Sequence, residues 1–420
     1  MPFFMSYLLI SFAVIALLGV IFEEQIGINK AKVTLFFGTF SWALLFIFSG
    51  HGVAHQKIIT GLGENIGDIA SLWLFLVAAM TFVAYLNKKG LIENMIYILL
   101  PEKISERALM MLTGIFCFVF SSLADNITAT LVSITLITSL NLPPKKLVRF
   151  AVLVVFSVNS GGVSLITGDV TTLMIFLANK VNIQDLLWLV LPALSMVILL
   201  SFILSFGLSG EVNVSKRRSK VRKLDIAIAI LFLLTIISTI FGNFFFQIPP
   251  VLTFLFGLSI MFLLAQFFQD HQDEQSVLEY IRYIEFETLL FFLGILLIVG
   301  MLKEVGVLDQ ISTLYNLIPA VYANYLTGLL SAMIDNVPLT AALLKADLNM
   351  GLADWMGLTY AVGVGGSLLV IGSAAGVVAM SKVSPLTFGS YFRYSFWLLL
   401  AYTIGYIGVY YLGLWLQAMG

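Results

Sequence analysis

The sequence predicts an all-α polytopic membrane protein built from two inverted-topology repeats. Of the 420 residues, 60% are hydrophobic and only 11% are charged, whereas a soluble domain carries about a quarter charged residues. Apolar windows of about 20 residues, long enough to span a bilayer as a helix, recur along the chain. An Asp-Asn dipeptide also lies inside apolar sequence once in each half, at residues 125–126 and 335–336.

Ten apolar windows are long enough to cross the membrane, and two further segments are not. Residues 108–140 and 321–345 are each interrupted by the Asp-Asn dipeptide, which leaves arms of about 10 to 17 residues, too short to cross separately. We therefore expect two re-entrant helical hairpins with Asp-Asn at the tip, because irregular backbone at membrane depth must be buried or line a cavity. The crossings cover residues 4–22, 31–49, 68–86, 149–178, 185–208, 224–242, 249–268, 286–302, 355–380 and 391–418.

The placement of lysine and arginine predicts the orientation. If the first hairpin opens to the cytoplasm, only four of the 22 basic residues lie outside, in agreement with the positive-inside rule. The basic linker at residues 210–223 is then cytoplasmic and both termini are outside. A single crossing over residues 108–140 would instead put Arg107 and Lys145 on opposite faces. The four outside residues are Lys57, Lys180, Lys303 and Lys345.

The linker divides the chain into two similar halves. Residues 1–209 hold five crossings, including a broken helix at 149–178, and the first hairpin. Residues 224–420 hold five crossings, including a broken helix at 355–380, and the second hairpin. An odd number of crossings per half inverts the second copy. NSGGVSLITGD at 159–169 parallels GVGGSLLVIGS at 363–373, which aligns Gly161, Gly162 and Gly168 with Gly365, Gly366 and Gly372.

The two broken crossings are rich in polar residues. The first carries one carboxylate, Asp169, with Asn159, Thr171 and Thr172. Such a density of polar groups is costly at membrane depth unless the helix unwinds around a ligand, whereas an isolated glycine pair would indicate only close helix packing. The second crossing offers Ser367 and Ser373 but no carboxylate, so the predicted site is asymmetric and Asp169 is unmatched.

Charge favours a cation as the substrate. Asp125, Asp169 and Asp335 are predicted to converge near the midplane, with no intramembrane lysine or arginine to balance them. Hard cations prefer carboxylate, amide, hydroxyl and backbone oxygens, so we predict Na⁺ at the two Asp-Asn dipeptides, Asp125-Asn126 and Asp335-Asn336. Protons would compete with the metal ion for the same oxygens, and competition at one site is the minimal mechanism of antiport.

Charged residues at the ends of crossings have simpler explanations. The basic linker is expected to orient the protein and to join the halves. Glu285 and Glu287 lie at the entrance of a span, where a solvated or helix N-terminal role fits better than ligation.

Four motifs make the sequence similar to a known family. SSLADNITATLV, NSGGVSLITGDVTTLM, SAMIDNVPLTAA and GVGGSLLVIGSAAGVVAM resemble the NhaD-type Na⁺/H⁺ antiporters of the ion transporter superfamily, and the likeness runs from about Ile66 to the C-terminus. The resemblance implies exchange of Na⁺, and of Li⁺, for H⁺ by alternating access in an inner cell membrane, with a role in pH homeostasis.

The same resemblance implies a homodimer in the lipid bilayer, in which a scaffold domain holds the protomers together while a transport domain moves. It implies no cofactor beside the transported ions. It also implies a set of cation and proton ligands at the polar residues of the four motifs: Ser121, Asp125, Asn126, Thr128, Asn159, Asp169, Thr171, Thr172, Ser331, Asp335, Asn336, Ser367 and Ser373.

The chain departs from the family pattern in places. Asp68 and Ser71 stand where a glutamate is expected, and Ala84 stands where a second acidic residue is common. Ile166-Thr167 replaces the usual proline before the GDVTT motif. An accessory proton pathway through those glutamates is therefore not carried over to this chain.

Two other classes of function are weighed against the antiporter. An anion carrier of the same superfamily, for a dicarboxylate or an oxyanion such as arsenite, would have neutral hairpin tips, unlike Asp125 and Asp335. A membrane enzyme would need a metal cluster, a nucleophile elbow or a phosphate loop, and the sequence contains no such motif. The net charge of -1 gives no basic surface for nucleic acid.

Overall fold

The computed structural model describes residues 3–49, 53–92, 94–95, 101–214, 221–268, 277–346 and 348–419. In these ranges nine helices are long and apolar enough to cross a membrane. The same ranges contain one pair of short antiparallel strands, β1 (Lys103–Ser105) and β2 (Glu211–Asn213). This helical content agrees with the predicted all-α polytopic architecture.

The first half contains nine described helices, and polar caps fix where several of them begin. The Asn29 side chain accepts from the backbone N–H of Ala31 at 2.8 Å, and the Ser105 hydroxyl accepts from that of Ala108 at 3.3 Å, which satisfies free donors of the first helical turn. The helices are α1 (Phe3–Ile21), α2 (Glu23–Ile26), α3 (Lys30–Phe48), α4 (Val53–Lys88), α5 (Glu106–Leu123), α6 (Asn126–Ser139), α7 (Pro144–Gly162), α8 (Val170–Leu177) and α9 (Ile183–Ser205).

The second half contains ten described α-helices and one 3₁₀ helix, Val277–Tyr283. The α-helices are α10 (Lys223–Phe246), α11 (Pro250–Phe268), α12 (Phe286–Glu304), α13 (Asp309–Leu317), α14 (Ala320–Ser331), α15 (Asn336–Lys345), α16 (Leu352–Gly365), α17 (Ala374–Lys382), α18 (Phe388–Phe392) and α19 (Ser395–Met419).

Helices are interrupted at all four places where the sequence predicts it. The breaks separate α5 from α6, α7 from α8, α14 from α15 and α16 from α17. Each break ends at a polar N-cap whose side chain accepts backbone N–H groups, which is why the next helix starts there. These caps are Asp125, Asp169, Asp335 and Ser373.

Three expectations about the elements need correction. Helix α4 has 36 residues, far more than the apolar window 68–86, because its polar N-terminal part is also helical. Helix α5 has 18 residues and is itself long enough to span, so the first hairpin arm is longer than predicted. The linker 210–223 is not only a connection, since it contains β2; its residues 215–220 lie outside the described part of the chain.

The strand pair forms a clip between the linker and the start of α5. Strand β1 pairs with β2 in antiparallel register, with Ile104 opposite Val212. The clip is extended where Glu106 N–H donates to the Gly210 carbonyl at 2.9 Å and Gly210 N–H donates to Glu106 Oε2 at 3.1 Å. Lys146, in the first turn of α7, pairs with Glu106 at 2.5 Å. The start of α5 therefore lies beside the start of α7.

The helices pack in two groups. The first, which we term the scaffold group, joins α1, α3, α4, α10, α11 and α12, and the second, the site group, joins α5–α9, α14–α17 and α19. The groups meet chiefly where α12 packs against α15. Among the described residues, two ion pairs cross this boundary at opposite ends of α15. Asp335 contacts Lys30 of α3 at 3.2 Å, and Lys345 contacts Asp68 of α4 at 2.6 Å.

Glycine permits the same close helix approach twice in the site group. A Cβ at Gly161 would lie 2.1 Å from the Phe118 carbonyl oxygen, and a Cβ at Gly365 would lie 2.1 Å from the Gly328 carbonyl oxygen. Both distances are far below van der Waals contact, so α7 packs on α5, and α16 on α14, only because these residues lack side chains.

The packing predicts that Gly161→Ala destabilises the protein by about 1–3 kcal/mol, because the added methyl group must push α5 from α7. Gly63→Ala is the matched control, since Gly63 lies in α4, where an added Cβ would meet nothing within 4 Å, and alanine should stabilise an open helical position by about 0.5–1 kcal/mol. Thermal unfolding in detergent measures both changes. Equal melting temperatures for the two variants would contradict the close approach.

Candidate functional site

A cavity of about 390 Å³ lies where several helices begin. Its wall includes the first residues or the caps of α3, α6, α8, α12, α15 and α17, so the positive ends of several helix dipoles face it. The charged side chains in the wall are five carboxylates and two ammonium groups. They are Glu23, Asp125, Asp169, Glu285 and Asp335, with Lys30 and Lys382.

Asp169 is the buried centre of the site, with 6% of its surface exposed. Its Oδ1 accepts from the backbone N–H and the hydroxyl of Thr171, each at 2.9 Å. Its Oδ2 accepts from Asn126 Nδ2 at 2.6 Å and from Asn336 Nδ2 at 3.3 Å. One carboxylate is therefore bonded to both Asp-Asn dipeptides, which are 210 positions apart in the sequence.

Matching serines link α5 to α7 and α14 to α16. Ser121 donates to the Val158 carbonyl at 2.8 Å, and Ser331 donates to the Val362 carbonyl at 2.8 Å. Ser121 also contacts Asn126 Oδ1 at 2.8 Å, which fixes the amide that donates to the central carboxylate.

Asp125 serves first as a helix cap. Its Oδ1 accepts from the backbone N–H groups of Ile127 and Thr128 at 3.0 and 2.9 Å, and its Oδ2 accepts from the Thr128 hydroxyl at 2.7 Å. Thr128 thus contacts the carboxylate and orients it. Since a carboxylate has about four acceptor positions, Asp125 keeps capacity for a cation in the cavity.

Asp335 has a cationic partner that the sequence did not predict. Its side chain accepts from the Val337 N–H at 3.2 Å and from Lys30 Nζ at 3.2 Å. The expectation that no lysine balances the buried aspartates is therefore wrong. Lys30 lies at the start of a helix, and only the fold brings it to a residue 305 positions away.

The second broken helix has a hydroxyl where the first has a carboxylate. Ser373 ends its break and caps α17, as Asp169 does for α8, so Asp169 is matched in position although not in charge. Asn159 Nδ2 donates to Ser373 Oγ at 3.1 Å, while Asn159 Oδ1 is buried without a hydrogen-bond partner among the described residues. The core of the site therefore has an unused oxygen acceptor, the kind of group that a cation needs.

The predicted residues divide into two sets. Asp125, Asn126, Asp169, Asp335, Asn336 and Ser373 line the cavity. Thr172 donates to the Gly162 carbonyl at 3.3 Å, and Ser367 donates to the Val364 carbonyl at 2.6 Å. These two hydroxyls therefore satisfy backbone carbonyl groups within or beside the helix breaks. The residues of the prediction that support the wall from behind are Ser121, Thr128, Asn159, Thr171, Thr172, Ser331 and Ser367.

The carboxylates are spread along the cavity. Among the described residues no group of three His, Cys, Asp or Glu side chains is arranged to hold a metal ion. Asp125, Asp169 and Asp335 share one cavity with the amides of Asn126 and Asn336 and the hydroxyl of Ser373. This donor set suits a weakly bound, transported ion better than a resident metal.

Glu285 is a cavity residue that the sequence analysis placed in solvent or at a helix end. It precedes α12 as its N-cap, and it also faces the cavity. Burial, followed by the nearby charge of Asp125, raises the pKa of Glu285 to about 7. The Thr288 hydroxyl donates to it at 3.2 Å and opposes that rise. The sequence signal was weak because acidic residues commonly occupy first helical turns.

Comparison with known proteins agrees with this geometry. The citrate transporter family, CitMHS, matches residues 3–375. The chain belongs to this family. It is 30% identical over 428 residues to the Na⁺/H⁺ antiporter NhaD of Vibrio cholerae, covering 92% of this chain and 88% of the relative.

Further relatives show the same likeness. The chain is 28% identical to the NhaD antiporter of Alkalimonas amylolytica, covering 98% of this chain and 91% of that protein. It is 29% identical to sodium/proton antiporter 1 of Arabidopsis thaliana, covering 89% of this chain and 67% of that protein. The resemblance to NhaD-type antiporters, inferred from four motifs, is thereby confirmed.

The hydrogen bonds of Asp169 predict that Asp169→Asn destabilises the protein by about 1–3 kcal/mol. The asparagine side chain has one oxygen and one NH₂ group in place of two oxygens. If the NH₂ group faces Asn126 and Asn336, donors meet donors; if it faces Thr171, the two bonds from Thr171 are lost. Asp125→Asn is the control, because asparagine caps a helix about as well as aspartate. Thermal unfolding in detergent at pH 8 should separate the two, and an unchanged melting temperature for Asp169→Asn would contradict this bonding.

Proposed function

We propose that this chain is a secondary active transporter that exchanges Na⁺, and Li⁺, for H⁺ across an inner cell membrane by alternating access. One observation carries the proposal: a cavity lined by five carboxylates, of which the central Asp169 bonds to both Asp-Asn dipeptides. The relatives from Vibrio cholerae, Alkalimonas amylolytica and Arabidopsis thaliana are sodium/proton antiporters, which supports the same exchange.

The family description names citrate, so an anion is the rival substrate. Citrate carries up to three negative charges, and its carboxylates would need basic partners. The cavity offers Lys30 and Lys382 against five carboxylates, and Lys30 is already paired with Asp335. Like-charge repulsion therefore disfavours citrate and any dicarboxylate, and it favours a small cation.

Competition between ions follows from the bonding at Asp169. Its oxygens now accept from two amides, Asn126 and Asn336, and from Thr171. Na⁺ requires oxygen ligands, so we infer that the two amides turn their Oδ1 atoms toward the ion when it binds. A proton on the carboxyl removes the charge that attracts Na⁺, so one site serves both ions in alternation.

We further propose the predicted membrane arrangement. The 2.5 Å pair between Glu106 and Lys146 supports a re-entrant first hairpin, since it holds the start of α5 beside the start of α7, the helix that follows α6. The equivalent serine braces and glycine contacts of the two halves support inverted repeats. In this arrangement the linker is cytoplasmic, both termini are outside, and a homodimer forms through the scaffold group while the site group moves.

Everted membrane vesicles test the exchange. Addition of Na⁺ or Li⁺ is expected to dissipate a preformed acid-inside proton gradient, read as recovery of a pH-sensitive fluorophore, because each cation leaves the carboxylates in exchange for a proton. K⁺, citrate and a dicarboxylate should each give little recovery. Recovery with citrate or a dicarboxylate, but not with Na⁺, would overturn the proposal.

Charge-removal variants locate the exchange in the cavity. Asp125→Asn and Asp335→Asn are expected to lower Na⁺-driven recovery at least tenfold while leaving expression and oligomeric state unchanged, because each deletes a carboxylate but keeps a helix cap. Asp185→Asn, at the start of α9 and outside the cavity wall, is the control. Near-normal exchange in both cavity variants would exclude a shared site.

Apparent Na⁺ affinity is expected to fall as the pH drops from about 9 to 6, by up to about tenfold per pH unit if one proton competes with one cation. The sign follows because protonation neutralises the groups that attract Na⁺. Glu285, with a pKa of about 7, loses its charge in this range, so Glu285→Gln should weaken the dependence below pH 7. The measurement is the half-saturating Na⁺ concentration at each pH.

Asp169→Asn is the companion variant for this pH series, because it removes the carboxylate that is bonded to both dipeptides. Asp169→Asn should change the half-saturating Na⁺ concentration at every pH, whereas Glu285→Gln should change it only at the lower pH values. An Na⁺ affinity that is independent of pH in the unmodified protein would rule out competition at a common site.

Cysteine labelling tests the membrane arrangement. Single cysteines at Arg107 and Lys145 are expected to react with an impermeant reagent from the cytoplasmic side, and cysteines at Lys303 and Lys345 from the outside, after the native Cys117 is replaced. Reaction of the first two from opposite sides would show that the α5–α6 segment crosses the membrane once instead of forming a hairpin.

A further inference from the structure

The Lys30–Asp335 ion pair lies inside the proposed cation pathway. Lys30 Nζ is 3.2 Å from Asp335 Oδ2, and the two side chains are only 27% and 14% exposed. Both residues line the cavity. The Lys30 ammonium group therefore occupies an oxygen of Asp335, which is one of the four residues at which Na⁺ is predicted to bind.

The protein positions this ammonium group with several contacts. The backbone N–H of Lys30 donates to Glu23 Oε1 at 2.9 Å, and its Nζ lies 4.6 Å from the centre of the Phe291 ring. Asn29, the preceding residue, donates to Glu287 Oε2 at 2.7 Å. These bonds tie the start of α3 to α2 and α12, so Lys30 is held by the scaffold group, whereas Asp335 belongs to the site group.

We propose that the Lys30 ammonium is a tethered competitor for the transported cation: it neutralises Asp335 when no cation is bound there, and Na⁺ displaces it. This role rests on the proposed Na⁺/H⁺ exchange. An ammonium ion and Na⁺ carry the same single charge and seek the same oxygen, so they exclude each other at Asp335. Displacement of Lys30 also breaks this ion pair between the scaffold and site groups. Cation binding is therefore coupled to release of the site group from the scaffold group.

Charged groups on several elements surround the pair. Those that share the cavity wall with it are Glu23 on α2, Asp125 before α6, Asp169 before α8, Glu285 before α12 and Lys382 at the end of α17, and Glu287 contacts Asn29 beside Lys30. Lys30 is the lysine of the wall that contacts Asp335. Its positive charge makes Asp335 bind Na⁺ less tightly, so its removal should strengthen Na⁺ binding.

Lys30→Gln tests this inference through the apparent Na⁺ affinity. At pH 9 the half-saturating Na⁺ concentration should fall about tenfold, because the competing charge at Asp335 is gone. Lys30→Arg keeps the charge and should stay within about twofold of the unmodified protein. Lys345→Gln is the matched control, because it removes the lysine of the other ion pair between the two groups, outside the cavity wall, and it should shift the half-saturating Na⁺ concentration no more than about twofold.

Amine labelling of the unmodified protein provides a second measurement that needs no variant. If Na⁺ frees Lys30, acylation of Lys30, followed by mass spectrometry of its peptide, should accelerate at least threefold when Na⁺ replaces choline. The acylation rate of Lys382 serves as the internal reference and should not change.

The outcomes separate the two proposals. If the unmodified protein exchanges Na⁺ for H⁺, but Lys30→Gln gives the same Na⁺ affinity as Lys345→Gln, or Na⁺ leaves the acylation rate of Lys30 unchanged, the tethered competitor is overturned and the exchange stands. If the unmodified protein moves no protons in response to Na⁺ or Li⁺, the proposed function itself fails.

Discussion

The hydrogen bonds that converge on Asp169 hold the site together. One buried carboxylate accepts from Asn126 of the first half and from Asn336 of the second. Bonds to a charged group are worth about 1.5–3 kcal/mol each, and a charge at this depth is costly unless it is satisfied. The positions of α6, α8 and α15 all depend on this group, because each of these helices begins at or beside one of its hydrogen-bonded partners. A proton or a cation at Asp169 therefore acts on both halves at once.

Much of this site follows from short stretches of sequence. The four helix breaks could be predicted because polar residues and glycines interrupt apolar windows, and such interruptions are local. The aspartates could be singled out because a carboxylate in apolar sequence needs a reason. The roles of Lys30 and Glu285 could not, since both lie at the ends of helices, where charged residues are common and uninformative. Their contacts to residues of other helices arise only when α3 and α12 pack beside α15.

Both of the ion pairs described at the boundary between the scaffold and site groups involve helix α15. Its N-cap contacts Lys30, and its last residue, Lys345, contacts Asp68. The two pairs differ in burial: Asp335 is 14% exposed, whereas Asp68 is 66% exposed. An exposed pair is worth about 0–1 kcal/mol, so the pair at Asp68 contributes little to holding the groups together. Of the two ion pairs, the one at Asp335 therefore contributes more to holding the groups together, and it is the pair that a transported cation would disrupt.

The strand clip has a consequence for how the protein is made. Strand β2 ends at Asn213, before any helix of the second half begins, and its partner β1 precedes α5. A chain synthesised from its N-terminus can therefore close the loop from residue 105 to residue 211 while α10 to α19 are still untranslated. The first half can hold α5 to α9 in a closed unit during membrane insertion. Asn336, the second donor to Asp169, then arrives at an acceptor that is already in place.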